Sequence, residues 1–200
     1  MNKTRFLVLY AIILGLTFVA AAPFFMFVFL IPMIAVCATF KFRTGIFAAA
    51  CIAFVSFVYM WMSADPVALA FQNAPWIPIV PRLITGAAAW WAGAGARKLL
   101  GGRGNRFVSK VLPVNVVATV ASLGNTVLVV GGLILLTNVA EVLEMSNAAF
   151  FVMIIPHAVI ELVLTNIICP PLSMGIRRGL NGTPLESELT PLYTAPNKEN

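Results

Sequence analysis

Arg97-Lys98-Leu99-Leu100-Gly101-Gly102-Arg103-Gly104-Asn105-Arg106-Phe107-Val108-Ser109-Lys110 is a strongly basic stretch in a chain that is 60% hydrophobic. Long apolar runs flank it on both sides, so it fixes which way the chain faces. Working outward from it, apolar runs alternate with short polar breaks, and every second break is basic. These breaks hold Lys3 and Arg5, Lys41 and Arg43, and Arg177 and Arg178. The breaks between them contain no Lys or Arg; their charges are Asp65, Glu141 and Glu144. Lys and Arg gather in the cytoplasmic loops of polytopic membrane proteins. The pattern predicts an all-α membrane protein, a compact bundle of six transmembrane helices with both termini cytoplasmic.

Composition points the same way. Charged residues make up 10% of the chain, against about 25% in a soluble domain. The net charge of +6 is then loop charge. No basic face is interleaved with stacking aromatics, so nucleic acid is not an expected partner. The length allows one domain, residues 1–178, followed by a polar cytoplasmic tail, residues 179–200, without periodicity and expected to be disordered. Cys37, Cys51 and Cys169 all lie in apolar runs without a CxxC spacing. They are expected to be buried thiols, neither disulfides nor metal ligands.

The expected spans are residues 5–22, 24–40, 45–62, 76–99, 110–137 and 147–176. The first looks like a signal peptide ending at Ala20-Ala21-Ala22, but Pro23 is a poor residue to follow a cut, and the chain continues apolar. Pro32 is expected to kink the second span, and residues 41–44 to form a tight cytoplasmic turn. Gly45, Ala49 and Ala53 give the third span a small face for close packing. Gly86, Ala89, Gly93 and Ala96 do the same for the fourth, which is expected inside the bundle. Ser146 or Asn147 should cap the sixth span. Residues 65–76 form the outward connection, with Phe71, Gln72 and Asn73. The glycines of residues 101–104 make a flexible hinge. No strand precedes them and no GxxxxGK[ST] follows, so no ATP site is expected.

Two charges stand inside apolar runs. Arg82 lies about six residues into the fourth span, roughly 9 Å deep at ~1.5 Å per residue. Pro78 and Pro81 make its entrance irregular. Glu161 is near the middle of the sixth span, and His157 precedes it by one turn on the same face. Asn125 and Thr126 lie in mid-fifth span beside Ser122 and Gly124. A charge at the bilayer centre costs at least about 2.5–3.5 kcal/mol, so each needs a partner or a wet cavity. One reading is an Arg82–Glu161 pair that only fixes packing. The other is a polar pocket open to the outside, walled by Arg82, Asn125, His157 and Glu161. His157 has no second His or thiol at ligand spacing, so no metal is expected. No G-x-S-x-G, HExxH or paired-aspartate motif is present, so the chain is not expected to be an enzyme.

Pro81-Arg82-Leu83-Ile84-Thr85-Gly86, Ser122-Leu123-Gly124-Asn125-Thr126-Val127-Leu128, and Ile155-Pro156-His157 with Glu161 and Pro170-Pro171 together resemble motifs of a known family. It is that of the substrate-binding S components of energy-coupling factor (ECF) vitamin transporters. The motifs occupy the last three spans. His157 stands where Asn is frequent, and Gly124 where Thr is usual. The resemblance is to the pantothenate, cobalamin, folate and pyrimidine-precursor group. It implies a multi-pass subunit of an ABC importer in a bacterial or archaeal cytoplasmic membrane. That subunit captures a water-soluble vitamin or precursor from outside, pantothenate first. It has no cofactor of its own, because a membrane T subunit and two ABC ATPase subunits use the ATP. Substrate binding would involve Arg82, Asn125, Thr126, His157, Glu161, Phe71, Gln72 and Asn73, with residues 65–76 as a gate. Ala11 and Gly15 represent the small-residue contact with the coupling partner. The alternatives are a self-sufficient small transporter or channel and, further off, a membrane enzyme or a ligand-free scaffold.

Overall fold

The computed structural model describes residues 8, 10–15, 29–63, 66–100, 105, 107–137, 144, 146–183 and 185–190. Most of the expected first span, the start of the second, Asp65, the glycine hinge, Glu141 and residues 191–200 lie outside the described residues. Among the described residues the fold is helical, and the only extended pairing is an isolated bridge between Phe40 and Leu189. The helices are α1 (Ile31–Thr39), α2 (Phe42–Met62), α3 (Pro66–Gln72), α4 (Val80–Leu100), α5 (Leu112–Leu136) and α6 (Asn147–Leu180). A π turn, Phe107–Val111, leads into α5, and residues 10–15 are also helical.

Among the described residues, three stretches are long and apolar enough to cross a membrane: Phe42–Met62, Val108–Leu136 and Ala148–Leu180. They match the third, fifth and sixth expected spans. The fourth expected span is α4, which has the length, but small residues and charges make it less apolar. The second is represented by α1, whose nine residues rise only about 14 Å. Pro32 sits at the first turn of α1 rather than kinking a longer helix. A proline there is tolerated because its missing N–H would have no partner in any case. Phe42, Arg43 and Thr44 belong to the first turn of α2, so the turn expected at residues 41–44 is shorter and centred on Phe40 and Lys41. Ser146 caps α6, its hydroxyl accepting from the Ala149 N–H at 3.2 Å.

The short helix α1 is the hub of the packing. Met33 through Phe40 are all buried, and α2, α4, α5 and α6 each contact α1. Small residues let the others close around it. Gly45, Ala49 and Ala53 of α2 are buried, as are Gly86, Ala89, Gly93 and Ala96 of α4. A Cβ on Gly86 would run into that of Ala49, and one on Gly93 into Val117 of α5. The three cysteines are buried free thiols, and Cys37 Sγ donates to the carbonyls of Gly45 and Gly86.

The polarity of the outer helices is reversed. On α6 the outward face holds Val152, Ile155, Val159, Val163 and Ile167, all exposed, while Glu161, Thr165, Cys169 and Ser173 are turned inward and buried. Each face repeats every three or four residues, as one side of a helix must. On α5, Leu123, Val127, Leu135 and Leu136 are exposed, and Ser122 is buried. Soluble helices show the opposite arrangement. An apolar surface this extensive suits lipid, where the polar groups must find partners inside the protein.

The expected disordered tail begins differently. Helix α6 continues through Gly179 to Leu180, and residues 185–190 return to the end of α1. Lys41 N–H donates to Glu188 O at 2.9 Å and Thr190 N–H to Thr39 O at 2.8 Å. The carbonyls at the end of α1 need donors, and this segment supplies some of them.

Candidate functional site

Arg82 lies in the first turn of α4 and is 7% exposed. The approach to α4 is a run of turns from Asn73 to Ile79, closed by Ala74 O···Ile77 N–H and Trp76 O···Val80 N–H bonds. Pro78 and Pro81 have no N–H to contribute. Arg82 Nη1 reaches back one turn and donates to the Pro78 carbonyl at 3.0 Å. Its guanidinium lies 5.9 Å from the ring centroids of both Phe29 and Phe71, within range of a cation–π attraction. Phe71 thus brings α3, in the connection between α2 and α4, against Arg82.

Glu161 is 5% exposed on α6. It lies near enough to Arg82 for each to feel the other's charge, but the two make no direct ion pair. Three helices each carry two polar residues on one face, a layer linked by Ser122 to Thr165, by Gly124 beside Thr85 and by the charges of Arg82 and Glu161. Helix α4 gives Arg82 and Thr85, α5 gives Ser122 and Asn125, and α6 gives Glu161 and Thr165. Each couple is three or four residues apart, hence on one face. Gly124 of α5 faces α4: a Cβ there would stand 3.5 Å from the Thr85 side chain, an ordinary van der Waals contact.

Part of this layer is satisfied and part is not. Ser122 Oγ and Thr165 Oγ1 share a hydrogen bond of 3.0 Å between α5 and α6. Thr119 Oγ1 donates to Asn166 Oδ1 at 3.3 Å, one turn further along. By contrast, Arg82 Nε, Thr85 Oγ1 and Asn125 Oδ1 are buried without a hydrogen-bond partner. A buried unsatisfied polar atom costs about 1–3 kcal/mol, so three in one layer call for an explanation.

The other expected site residues are placed as follows. His157 is half-buried, one turn before Glu161, and Pro156 beside it removes a backbone donor from the helix. Thr126 is half-buried next to Asn125. Gln72 Nε2 donates to the Met60 carbonyl at 2.8 Å, which ties the end of α3 to α2. Asn73 is exposed in the turn that follows. Ala11 and Gly15 are exposed, and a Cβ on Gly15 would have open space around it.

Sequence reading passed over Thr85 and Thr165 as members of the layer. Their signal was present, since each stands one turn from a buried charge. It also treated Arg97 and Arg177 as loop charges. Arg97 is 6% exposed and donates through Nη1 to the Ala38 carbonyl at 3.2 Å. Arg177 donates to Ala38 and Thr39 carbonyls at 3.3 Å and to Thr190 O at 2.8 Å. Trp90 Nε1 and Thr190 Oγ1 both donate to Phe40 O. These four side chains cap the buried end of α1.

Compared with protein-family models and with curated proteins, the chain matches none.

Proposed function

We propose that the chain is a membrane-embedded substrate-binding subunit of the ECF S-component type, which captures a small, water-soluble, anionic vitamin or precursor from outside. The observation that carries this reading is the inward-turned layer in which Arg82 Nε, Thr85 Oγ1 and Asn125 Oδ1 lack partners. A ligand carrying a carboxylate and hydroxyl or amide groups would complete all three. The Arg82 guanidinium offers a planar fork to the carboxylate. Asn125 Oδ1 accepts from an N–H or O–H of the ligand, and Thr85 Oγ1 can donate or accept. Glu161 and His157 on α6 would take donors at the opposite wall. Phe71, against the Arg82 side chain, makes α3 part of the cover.

Pantothenate has this set of groups and is the first choice; folate is the second. The apolar outer faces and the alternation of basic and non-basic breaks support multi-pass insertion. Concentrative uptake would require a membrane T subunit and two ABC ATPase subunits, with Ala11 and Gly15 on the docking surface. The chain's own sequence carries no nucleotide-binding motif.

The test is native mass spectrometry of the chain purified in mild detergent, followed by titration with pantothenate. One vitamin bound per chain, without ATP hydrolysis, is the expected result. Liposomes holding this chain alone, concentrating the vitamin under an ion gradient, would overturn the subunit reading in favour of a self-sufficient transporter. Absence of any bound vitamin or precursor, with none bound on titration, would remove the binding reading itself.

A further inference from the structure

A second polar concavity lies at the basic end of the bundle, away from the Arg82 layer. It is a cleft of about 700 Å³ where the end of α1, the π turn before α5, the end of α6 and the returning segment 185–190 meet. Lys41, Lys110, Arg177 and Arg178 line it, against a single carboxylate, Glu186. Among the described residues none of the four cations makes an ion pair. Arg177 bonds only to neutral carbonyls, which leaves its charge uncompensated. Glu186 is partly occupied by the Gly182 N–H, which donates to Oε2 at 2.7 Å. Ser173, also in the lining, is 1% exposed, and its buried hydroxyl has no hydrogen-bond partner.

Four cations and an unused buried hydroxyl, opposed by one carboxylate, are a donor set for a phosphate group. Lys ammonium groups act as point charges, Arg offers a fork, and a serine hydroxyl completes the coordination of a third oxygen. Val114, Met174 and Leu189 give the same cleft an apolar wall, which a bare phosphate does not need and the glycerol and upper acyl portion of a lipid does. We infer that this cleft binds a phosphate-bearing anion, best supplied by the headgroup of an anionic phospholipid. The inference is independent of the vitamin site; only its lipid source rests on membrane insertion.

The experiment uses the full chain in neutral detergent, with native mass spectrometry and three probes: phosphatidylglycerol, phosphatidylcholine and inorganic phosphate. The wild-type chain should retain phosphatidylglycerol in preference to phosphatidylcholine. The double substitution Lys110→Gln with Arg178→Gln should weaken that retention by at least about tenfold, since each removes a charge-assisted contact. Both side chains are exposed, so the fold should tolerate the change, and a melting curve checks it. Glu186→Gln keeps an acceptor for Gly182 and removes the opposing charge, so it should tighten retention, a gain that misfolding cannot imitate. Displacement of the lipid by millimolar inorganic phosphate supports the site and assigns it to free phosphate as well; resistance to displacement assigns it to lipid. Equal retention of the two lipids, or retention of phosphatidylglycerol unchanged by both variants, overturns the inference.

Discussion

Arg97 Nη1 donates to the carbonyl oxygen of Ala38 at 3.2 Å, joining the end of α4 to the end of the buried helix α1. The last carbonyls of a helix have no partner within it. On a helix buried at its end, other donors must reach them, and here Arg97, Arg177, Trp90 and Thr190 do so. A positive side chain is also favoured there by the helix dipole. Arg97→Leu should therefore destabilise the protein by about 1.5–3 kcal/mol, the worth of a charge-assisted hydrogen bond, although Ala38 O still accepts from Arg177 at 3.3 Å. Lys98→Ala, at the exposed neighbouring position, should change stability by no more than about 0.5 kcal/mol. Melting curves of both variants in one detergent check this; equal effects would refute the capping role.

Close packing of α2 on α4 rests on the absence of one methyl group. A Cβ at Gly86 would meet the Cβ of Ala49, which has no rotamer by which to move aside. Gly86→Ala should cost about 1–3 kcal/mol through overpacking and displaced backbone. Gly95, on the same helix, has nothing within 4 Å of an added Cβ. Gly95→Ala should be neutral or stabilise by up to about 1 kcal/mol, because alanine loses less backbone freedom in a helix. The pair is read by thermal unfolding, and a harmless Gly86→Ala would show that α2 and α4 are not in contact there.

How far the sequence reveals this fold depends on the range of the interactions involved. The lengths of α2, α5 and α6 were legible because a long apolar run needs only itself to declare a helix. Small-residue faces at Gly45, Ala49 and Ala53, and from Gly86 to Ala96, were legible for the same reason, through their period. The role of α1 was not. Its carbonyls are capped by Arg97, Arg177 and Thr190, which lie far along the chain, and no local pattern announces such partners. Arg97 and Arg177 looked like loop charge because they stand next to Lys98 and Arg178, which are exposed. At the candidate site Arg82, Asn125 and Glu161 stood out as polar residues in apolar runs. Thr85 and Thr165 did not, since threonine is common in membrane helices and only the apposition of three helices gives them a shared layer. The order of residues 185–190 was hidden by their polar composition.

Topology is accessible to labelling because the native thiols are shielded. Cys37, Cys51 and Cys169 are all buried, while Asn73 and Asn105 are exposed on the α3–α4 connection and the basic loop. Asn73→Cys should react with a membrane-impermeant maleimide in intact cells. Asn105→Cys should react only after permeabilisation. The expectation follows from the concentration of Lys and Arg around Asn105. Reaction of both from outside would invert or dissolve the proposed arrangement.

Arg82 separates a ligand site from a packing device. Its Nη1 bond to Pro78 and its place between Phe29 and Phe71 hold the side chain, yet Nε has no partner and Glu161 makes no direct pair with it. If the free edge of the guanidinium receives the ligand carboxylate, Arg82→Ala should lower pantothenate affinity by at least about tenfold, as a charge-assisted hydrogen bond is worth about 1.5–3 kcal/mol. Arg82→Lys should recover little, because an ammonium cannot present two parallel donors. If Arg82 serves only to balance Glu161, its removal leaves a lone buried acid, and the main loss should be in folding. Replacing both charges, Arg82→Met with Glu161→Met, would then restore stability, as apolar substitution of a buried pair often does. The two outcomes are told apart by measuring affinity only in variants whose melting curves match the parent. A stable Arg82→Met, Glu161→Met variant that binds pantothenate as tightly as the parent would place the ligand elsewhere. A stable variant that has lost binding leaves the layer around Arg82 as the site.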